Sequence, residues 1–194
     1  MKLSRELKEQ VKNGKTPNRI IIISGPCGAG KSTVSKLLAK NSTYNKTVHL
    51  HTDDFYNYIC NGHIAPWLPE AVKQNTVVME AFAASAAKYA SGGYEVIVDG
   101  VIGSWFLEPW LEHVDKGFDV RYFILRADKE TTLLRALNRK QSLIDIDGVK
   151  RMLKTFSNMG AYEPYVIDTT HQSVEKTVSA IQELLAGGLH GLHK

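Results

Sequence analysis

Residues 19–32 read Arg-Ile-Ile-Ile-Ile-Ser-Gly-Pro-Cys-Gly-Ala-Gly-Lys-Ser (RIIIISGPCGAGKS), and this stretch decides the fold. Four consecutive isoleucines with no polar alternation are the pattern of a strand buried on both faces, as in a parallel sheet. Residues 25–32 match G-x-x-x-x-G-K-[ST] in full. Glycines let the backbone wrap an anion with its N–H groups inward, and a helix predicted over residues 31–40 aims its positive end at the same point. In that arrangement Gly25, Cys27, Gly28, Ala29, Gly30, Lys31, Ser32 and Thr33 bind ATP. The Lys31 ammonium reaches the β- and γ-phosphates, and the Ser32 hydroxyl ligates Mg²⁺. The string would occur by chance in roughly one chain of this length in 150, and a strand before it with a helix after it makes accident far rarer. Cys27 reads as a small residue fitting a tight turn rather than as a redox centre.

Outward from this motif, short apolar runs alternate with helical patterns. Strands are predicted over 47–51, 94–98, 119–125 and 165–167. Helices are predicted over 70–90, 105–113, 129–139, 149–159 and 174–185. The stretch 57–69, with Gly62, Pro66 and Pro69, reads as irregular, and 55–70 as more mobile than the sheet. Strands alternating with helices imply an α/β fold, a three-layer parallel five-stranded sheet carrying the phosphate loop. Residues 1–18 form an N-terminal helical extension with Leu3, Leu7 and Val11 as a thin apolar stripe, residues 19–186 form the domain, and residues 187–194 read as a flexible tail.

Ligands of such sheets sit at the carboxyl ends of the strands, and the remaining polar motifs fall there. Thr52-Asp53-Asp54 follows the second strand and Asp99-Gly100 the third. Phosphoryl transfer needs one carboxylate to accept the proton of an attacking hydroxyl and another to support the metal. Asp53 is assigned the first role and Asp99 the second, with Asp54 the rival for either. An Asx turn or helix cap accounts equally well for one of the adjacent pair. Arg135 and Arg139, four apart on one predicted helix face, suit a clamp on the migrating phosphoryl group or a guanidinium stacked on the base. Tyr56, His63, Trp67 and Trp105 border the same end and suit an acceptor pocket, with core filling an equal reading for Trp67 and Trp105, whereas Trp110, His49 and His51 read as structural.

The 194 residues, 43% hydrophobic and 23% charged, are enough for one domain with a real core. No apolar run approaches the length of a membrane span. Two cysteines without metal-ligand spacing and an N-terminus without a signal-peptide core point to a reducing cytoplasm. A net charge of +4 suits a polyanionic ligand. The chain lacks a dense Lys/Arg run interleaved with aromatics, which argues against nucleic acid as the main partner. Two function classes remain: a kinase with a small-molecule acceptor, and an NTP-hydrolysing binding or switch module. The residues that suit an acceptor pocket favour the kinase.

With these motifs in hand, the chain resembles the P-loop kinase branch that holds shikimate kinase, gluconate kinase, chloramphenicol phosphotransferase and the adenylate-kinase-like proteins. The order of residues 25–32, then Thr52-Asp53-Asp54-Phe55, then Val98-Asp99-Gly100, then Arg135 and Arg139, matches that branch over residues 19–185. The Asp53-Asp54-Phe55-Tyr56 string is also similar to the uridine and nicotinamide riboside kinases. The resemblance implies a nucleoside-monophosphate-kinase-like fold and Mg-ATP as phosphoryl donor. It implies Asp53 as the acceptor-side aspartate, Asp54 as the counterpart of the aspartate that gluconate kinase places before its Phe, Arg139 as a lid arginine and Arg135 as the adenine-side arginine. The short segment 140–147, poor in further arginine, departs from the branch, and the extension over 1–18 has no counterpart in it.

Overall fold

The computed structural model describes residues 18–137 and 146–193; the proposed N-terminal helix, Arg139 and most of the short lid lie outside them. Numbered in chain order, the elements are β1 (Arg19–Ser24), α1 (Lys31–Lys40), β2 (Thr47–His51), α2 (Thr52–Asn57), α3 (Val72–Ser91), β3 (Glu95–Asp99), α4 (Glu108–Asp115), β4 (Asp119–Arg126), α5 (Lys129–Leu137), α6 (Ile146–Thr155), β5 (Val166–Asp168) and α7 (Val174–Ala186). Single 3₁₀ segments precede α3, α4 and β5.

The five strands form one parallel sheet in the order β2-β3-β1-β4-β5. The isoleucine run of β1 lies at its centre, fully buried. Its side chains alternate between two cores because successive residues of a strand face opposite sides. Ile20 and Ile22 pack with Met79, Phe82, Trp110 and Tyr122 under α3 and α4. Ile21 and Ile23 pack with Val34, Leu38, Phe123 and Ile181 under α1 and α7. Helices on both faces make the three layers that the alternating pattern predicts, and Trp110 is core, as expected.

Three features add to or depart from the sequence reading. Thr52–Asn57 is a short helix, α2, that starts directly from β2. The irregular stretch before α3 is tied to that helix at two points: the Gln74 amide bonds both Ile64 N and Ile64 O, at 2.8 and 2.7 Å, and Asn75 Nδ2 donates to Pro66 O at 2.8 Å. The tail over 187–193 is docked, not free. Leu192 N donates to Val120 O and Tyr122 N to His190 O, the Tyr165 hydroxyl donates to Gly191 O, and Leu192 is buried. The reason is geometric. β5 pairs only with the last residues of β4, Ile124 to Arg126, so the first half of β4 has an open edge whose N–H and C=O groups need partners.

Candidate active site

The phosphate loop connects β1 to α1 at the carboxyl edge of the sheet. Its glycines are dictated by space as well as by dihedral angle. At Gly25 (φ +138°) a Cβ would stand 2.2 Å from Leu125 O, and at Gly28 (φ +87°) it would stand 2.6 Å from Thr132 O. The first turn of α1 carries neither an acidic side chain nor a side-chain cap, so its N–H groups and partial positive charge face the loop. The buried Lys31 curls back, its Nζ donating to Pro26 O at 3.0 Å. Thr33 and Arg135 border a cavity of about 530 Å³ with Gly28, Gly30, Gln172 and Ser173. Arg135 Nη2 donates to Thr169 O at 3.0 Å on its wall. A separate cavity of about 580 Å³ at the ends of β4 and β5, among Arg126, Lys129, Lys150, Lys154 and Asp168, includes no phosphate-loop residue.

Asp99 ends β3, next to β1, with a side chain that is 0% exposed. Four groups converge on it. The Ser32 hydroxyl donates to Oδ1 at 3.0 Å, His49 Nε2 lies 2.5 Å from Oδ2, and His51 Nδ1 lies 2.6 Å from Oδ1 without the direction of a hydrogen bond. Thr52 Oγ1 donates to the Asp99 backbone oxygen at 2.9 Å. The other nitrogen of His51, Nε2, lies 3.1 Å from Asp53 Oδ2. His49 and His51 reach the same carboxylate because they are two apart on one strand and share a face, and the β2–β3 register sets His51 beside Asp99.

The electrostatics follow from these contacts. Burial alone would push the Asp99 carboxyl up, but His49 and His51 outweigh it and hold it well below the usual carboxylate range. The contact with Asp53, then that with Asp99, raises His51 to about 10 against the opposing effect of burial. Asp53 is held below its ordinary value, first by His51 and further by the charge of Lys31. Burial, with the Asp53 charge adding to it, pushes the Tyr56 hydroxyl up to about 12.

Lys31, Ser32, Asp99, Asp53 and Tyr56 are therefore one electrostatic cluster. Asp53, not Asp54, touches it: both are exposed, but among the described contacts to His51 and Asp99 none comes from the Asp54 side chain. The aromatic candidates are more dispersed. Trp105, 47% exposed, packs edge-on against Phe156 with ring centres 5.7 Å apart, whereas Trp67, 68% exposed, rides the pinned loop with His63. No described contact joins either tryptophan or His63 to Asp53. His49 and His51 were read as structural and stand at the centre of the cluster. The signal for them was two histidines at i and i+2 leading into Thr-Asp-Asp, in a strand whose neighbour ends in Asp.

A family model described as an AAA domain matches residues 21–155. The chain belongs to that family. Solved structures share its fold. A sugar kinase from a Janibacter species superposes with a TM-score of 0.65 at 18% identity, covering 91% of this chain and 100% of that one. The APS kinase of Mycobacterium tuberculosis, in complex with AMPPNP and APS, gives 0.61 at 15% identity over 86% and 96%. The tunicamycin resistance protein of Deinococcus radiodurans gives 0.59 at 17% over 91% and 99%. The cytidylate kinase of Sulfurisphaera tokodaii is 31% identical over 100 residues, 46% of this chain and 49% of that protein, so the match spans about half the length of that curated relative. The expected five-stranded α/β fold carrying a phosphate loop is borne out, and the solved structures that share it include proteins named as small-molecule kinases.

Proposed function

We propose that the AAA domain described here is a kinase that transfers the γ-phosphoryl group of Mg-ATP to a hydroxyl of a small molecule. The observation that carries this reading is the placement of Asp53, through His51, beside the Lys31–Ser32–Asp99 cluster. A carboxylate at this place can accept the proton of an attacking hydroxyl. The kinase names carried by relatives in fold and sequence support the same class.

The residues fit a magnesium ion. Ser32 Oγ and Asp99 Oδ1 are oxygen donors 3.0 Å apart at the phosphate loop. Among the described residues no group of three or more His, Cys, Asp or Glu side chains is arranged to hold a metal by itself. Mg²⁺ takes one or two protein ligands and completes its shell with water and phosphate oxygens, so the Ser32–Asp99 pair is a sufficient protein contribution. The ion, when bound, neutralises charge on the phosphates. Lys31 exchanges the Pro26 carbonyl for phosphate oxygens, and the loop amides fix the triphosphate. The base lies in the cavity bordered by Arg135, Thr33 and Gln172. Asp53 accepts the hydrogen bond, and finally the proton, of the acceptor hydroxyl as the new P–O bond forms and the bond to ADP breaks. A carboxylate of depressed pKa suffices for this. In a loose transition state the hydroxyl proton is lost late, so positioning outweighs basicity. Tyr56, kept protonated, is a hydrogen-bond donor at the same place, and Trp67, Trp105, His63 and Asp54 contribute to the acceptor side.

The test is ADP release from Mg-ATP over a panel of hydroxyl compounds, with Lys31→Ala as control. The variant should lose turnover at least 100-fold and stay folded, since the hydrogen bond of its side chain to Pro26 O contributes about 1 kcal/mol. Equal turnover in wild type and variant would refute the assignment of the triphosphate site.

A further inference from the structure

His51 has a position that structural packing does not require. A histidine on a sheet edge can turn one nitrogen to solvent; here both stand close to carboxylates, Nδ1 2.6 Å from Asp99 Oδ1, an ionic contact without hydrogen-bond direction, and Nε2 3.1 Å from Asp53 Oδ2. The two carboxylates differ sharply in freedom. Asp99 is fully enclosed, and its other oxygen is fixed by His49 at 2.5 Å. The Asp53 side chain is 72% exposed and stands on the first turn of α2, a helix of six residues. Left alone, such a side chain samples several rotamers.

We propose that His51 is a positioning residue: its rigid ring ties the exposed carboxylate of Asp53 to the fixed carboxylate of Asp99, and so sets the distance between the acceptor-side proton acceptor and the metal-side ligand. This rests on the roles of Asp53 and Asp99 proposed above. The chain of contacts runs from a fixed end to a movable one. Ser32 and His49 hold Asp99, Asp99 and the β2 backbone hold His51, and His51 holds Asp53. Imidazole suits the task because its two nitrogens lie on opposite edges of one planar ring and are reached by only two rotatable bonds. Thr52, the residue between, is buried with its hydroxyl on the Asp99 carbonyl, so the turn from β2 into α2 is clamped from both sides. A displacement of about 1 Å in a reacting group can cost about 100-fold in rate, and this is the scale on which loss of His51 should act.

A general packing role and a positioning role separate cleanly by experiment. The variants are His51→Leu, which keeps bulk and removes both nitrogens, His51→Gln, which keeps a side-chain N–H near the place of Nε2, and Asp53→Asn alone and combined with His51→Leu. The first readout is crystallographic. In His51→Leu the Asp53 carboxylate should leave its place or spread over several rotamers, and in His51→Gln it should return. The second is the rate of ADP release from Mg-ATP with water as the acceptor. His51→Leu should lower kcat about 100-fold with KM for Mg-ATP within twofold of wild type, and His51→Gln should recover at least tenfold. A residue acting through Asp53 has no further effect once Asp53 is lost, so the double variant should be no slower than Asp53→Asn. An Asp53 carboxylate unmoved in His51→Leu, or losses that multiply in the double variant, overturns the inference. Failure of wild type to bind Mg-ATP overturns the kinase reading instead, and the crystallographic comparison then still decides the role of His51.

Discussion

Replacing Asp99 by asparagine keeps the shape of the most enclosed side chain of the cluster and removes its charge. In the metal-free protein that charge is matched by His49 at 2.5 Å and His51 at 2.6 Å, and by the Ser32 hydroxyl. Charge-assisted hydrogen bonds contribute about 1.5–3 kcal/mol each and neutral ones about 0.5–1.5. Converting the His49 bond and weakening the ionic contact with His51 should therefore cost about 2 kcal/mol. That is roughly a 30-fold change in the unfolding constant and about 4–8 °C in Tm for a domain of this size. The sign with pH follows from the two shifts. The folded-state pKa of Asp99 is depressed, so its contribution is present above the unfolded carboxylate value of about 3.9 and is lost as pH falls through the folded value. His51 is raised from 6.5 to about 10, so its contribution is full below 6.5 and fades as pH rises towards 10. The two shifts share the His51–Asp99 contact, which is counted once; the larger partner is His49 for Asp99 and Asp53 for His51. The stability difference between wild type and Asp99→Asn should thus be flat from about pH 4 to 6.5 and shrink on both sides. Urea unfolding in EDTA, followed by circular dichroism at several pH values, measures it. A difference that does not change between pH 4 and pH 10, or an asparagine variant more stable than wild type at pH 6, would refute the reasoning.

Two further outcomes are expected. Gly28→Ala should destabilise the protein by about 2 kcal/mol or more, because a left-handed residue gains a Cβ that would sit 2.6 Å from Thr132 O; thermal melts of variant and wild type check it, and an unchanged Tm would show that the loop relaxes freely. Asp53→Asn should leave Mg-ATP affinity near normal while acceptor phosphorylation falls by about 10²–10⁴, with Asp54→Asn far milder; calorimetric binding and ADP release on all three proteins measure this, and the reverse order would move the proton acceptor to Asp54.

How much of this was legible in the sequence divides along local and non-local lines. The β1–loop–α1 unit was readable because four isoleucines, three glycines and Lys31-Ser32 carry their meaning within fourteen residues. Helix and strand positions elsewhere agree to within a few residues, because β-branched runs and Gly or Pro stops act locally. The short helix α2 was missed, since Thr52-Asp53-Asp54 is as good a turn as a helix start. The contacts of His49 and His51 with Asp99 were illegible for a different reason. Polar residues two apart on an edge strand are ordinary, and only the register that sets His51 beside Asp99 makes them part of the cluster. The tail misled for the same reason. Gly-Gly-Leu-His-Gly-Leu-His has the composition of a frayed end, and its docking site exists only because β5 is three residues long.

The sheet order also explains why these residues, scattered from 25 to 169, lie along one edge of the sheet. Along the carboxyl edge, β4 and β5 lead to Arg135 and Thr169, β1 to the phosphate loop, β3 to Asp99 and β2 to Asp53. Strands stand about 4.8 Å apart, so the distance from β4 to β2 is roughly 14 Å. On the proposed reading, base, phosphates, metal carboxylate and acceptor carboxylate occupy successive strands, and a nucleotide laid across the edge brings its γ-phosphate between β1 and β2. The acceptor must then arrive over β2. Its hydroxyl meets Asp53 on the side opposite the leaving ADP, which is the in-line geometry that phosphoryl transfer requires. A carboxylate on α2 can serve there only if its distance from β3 is fixed, and within the described residues the group that spans that distance is the ring of His51.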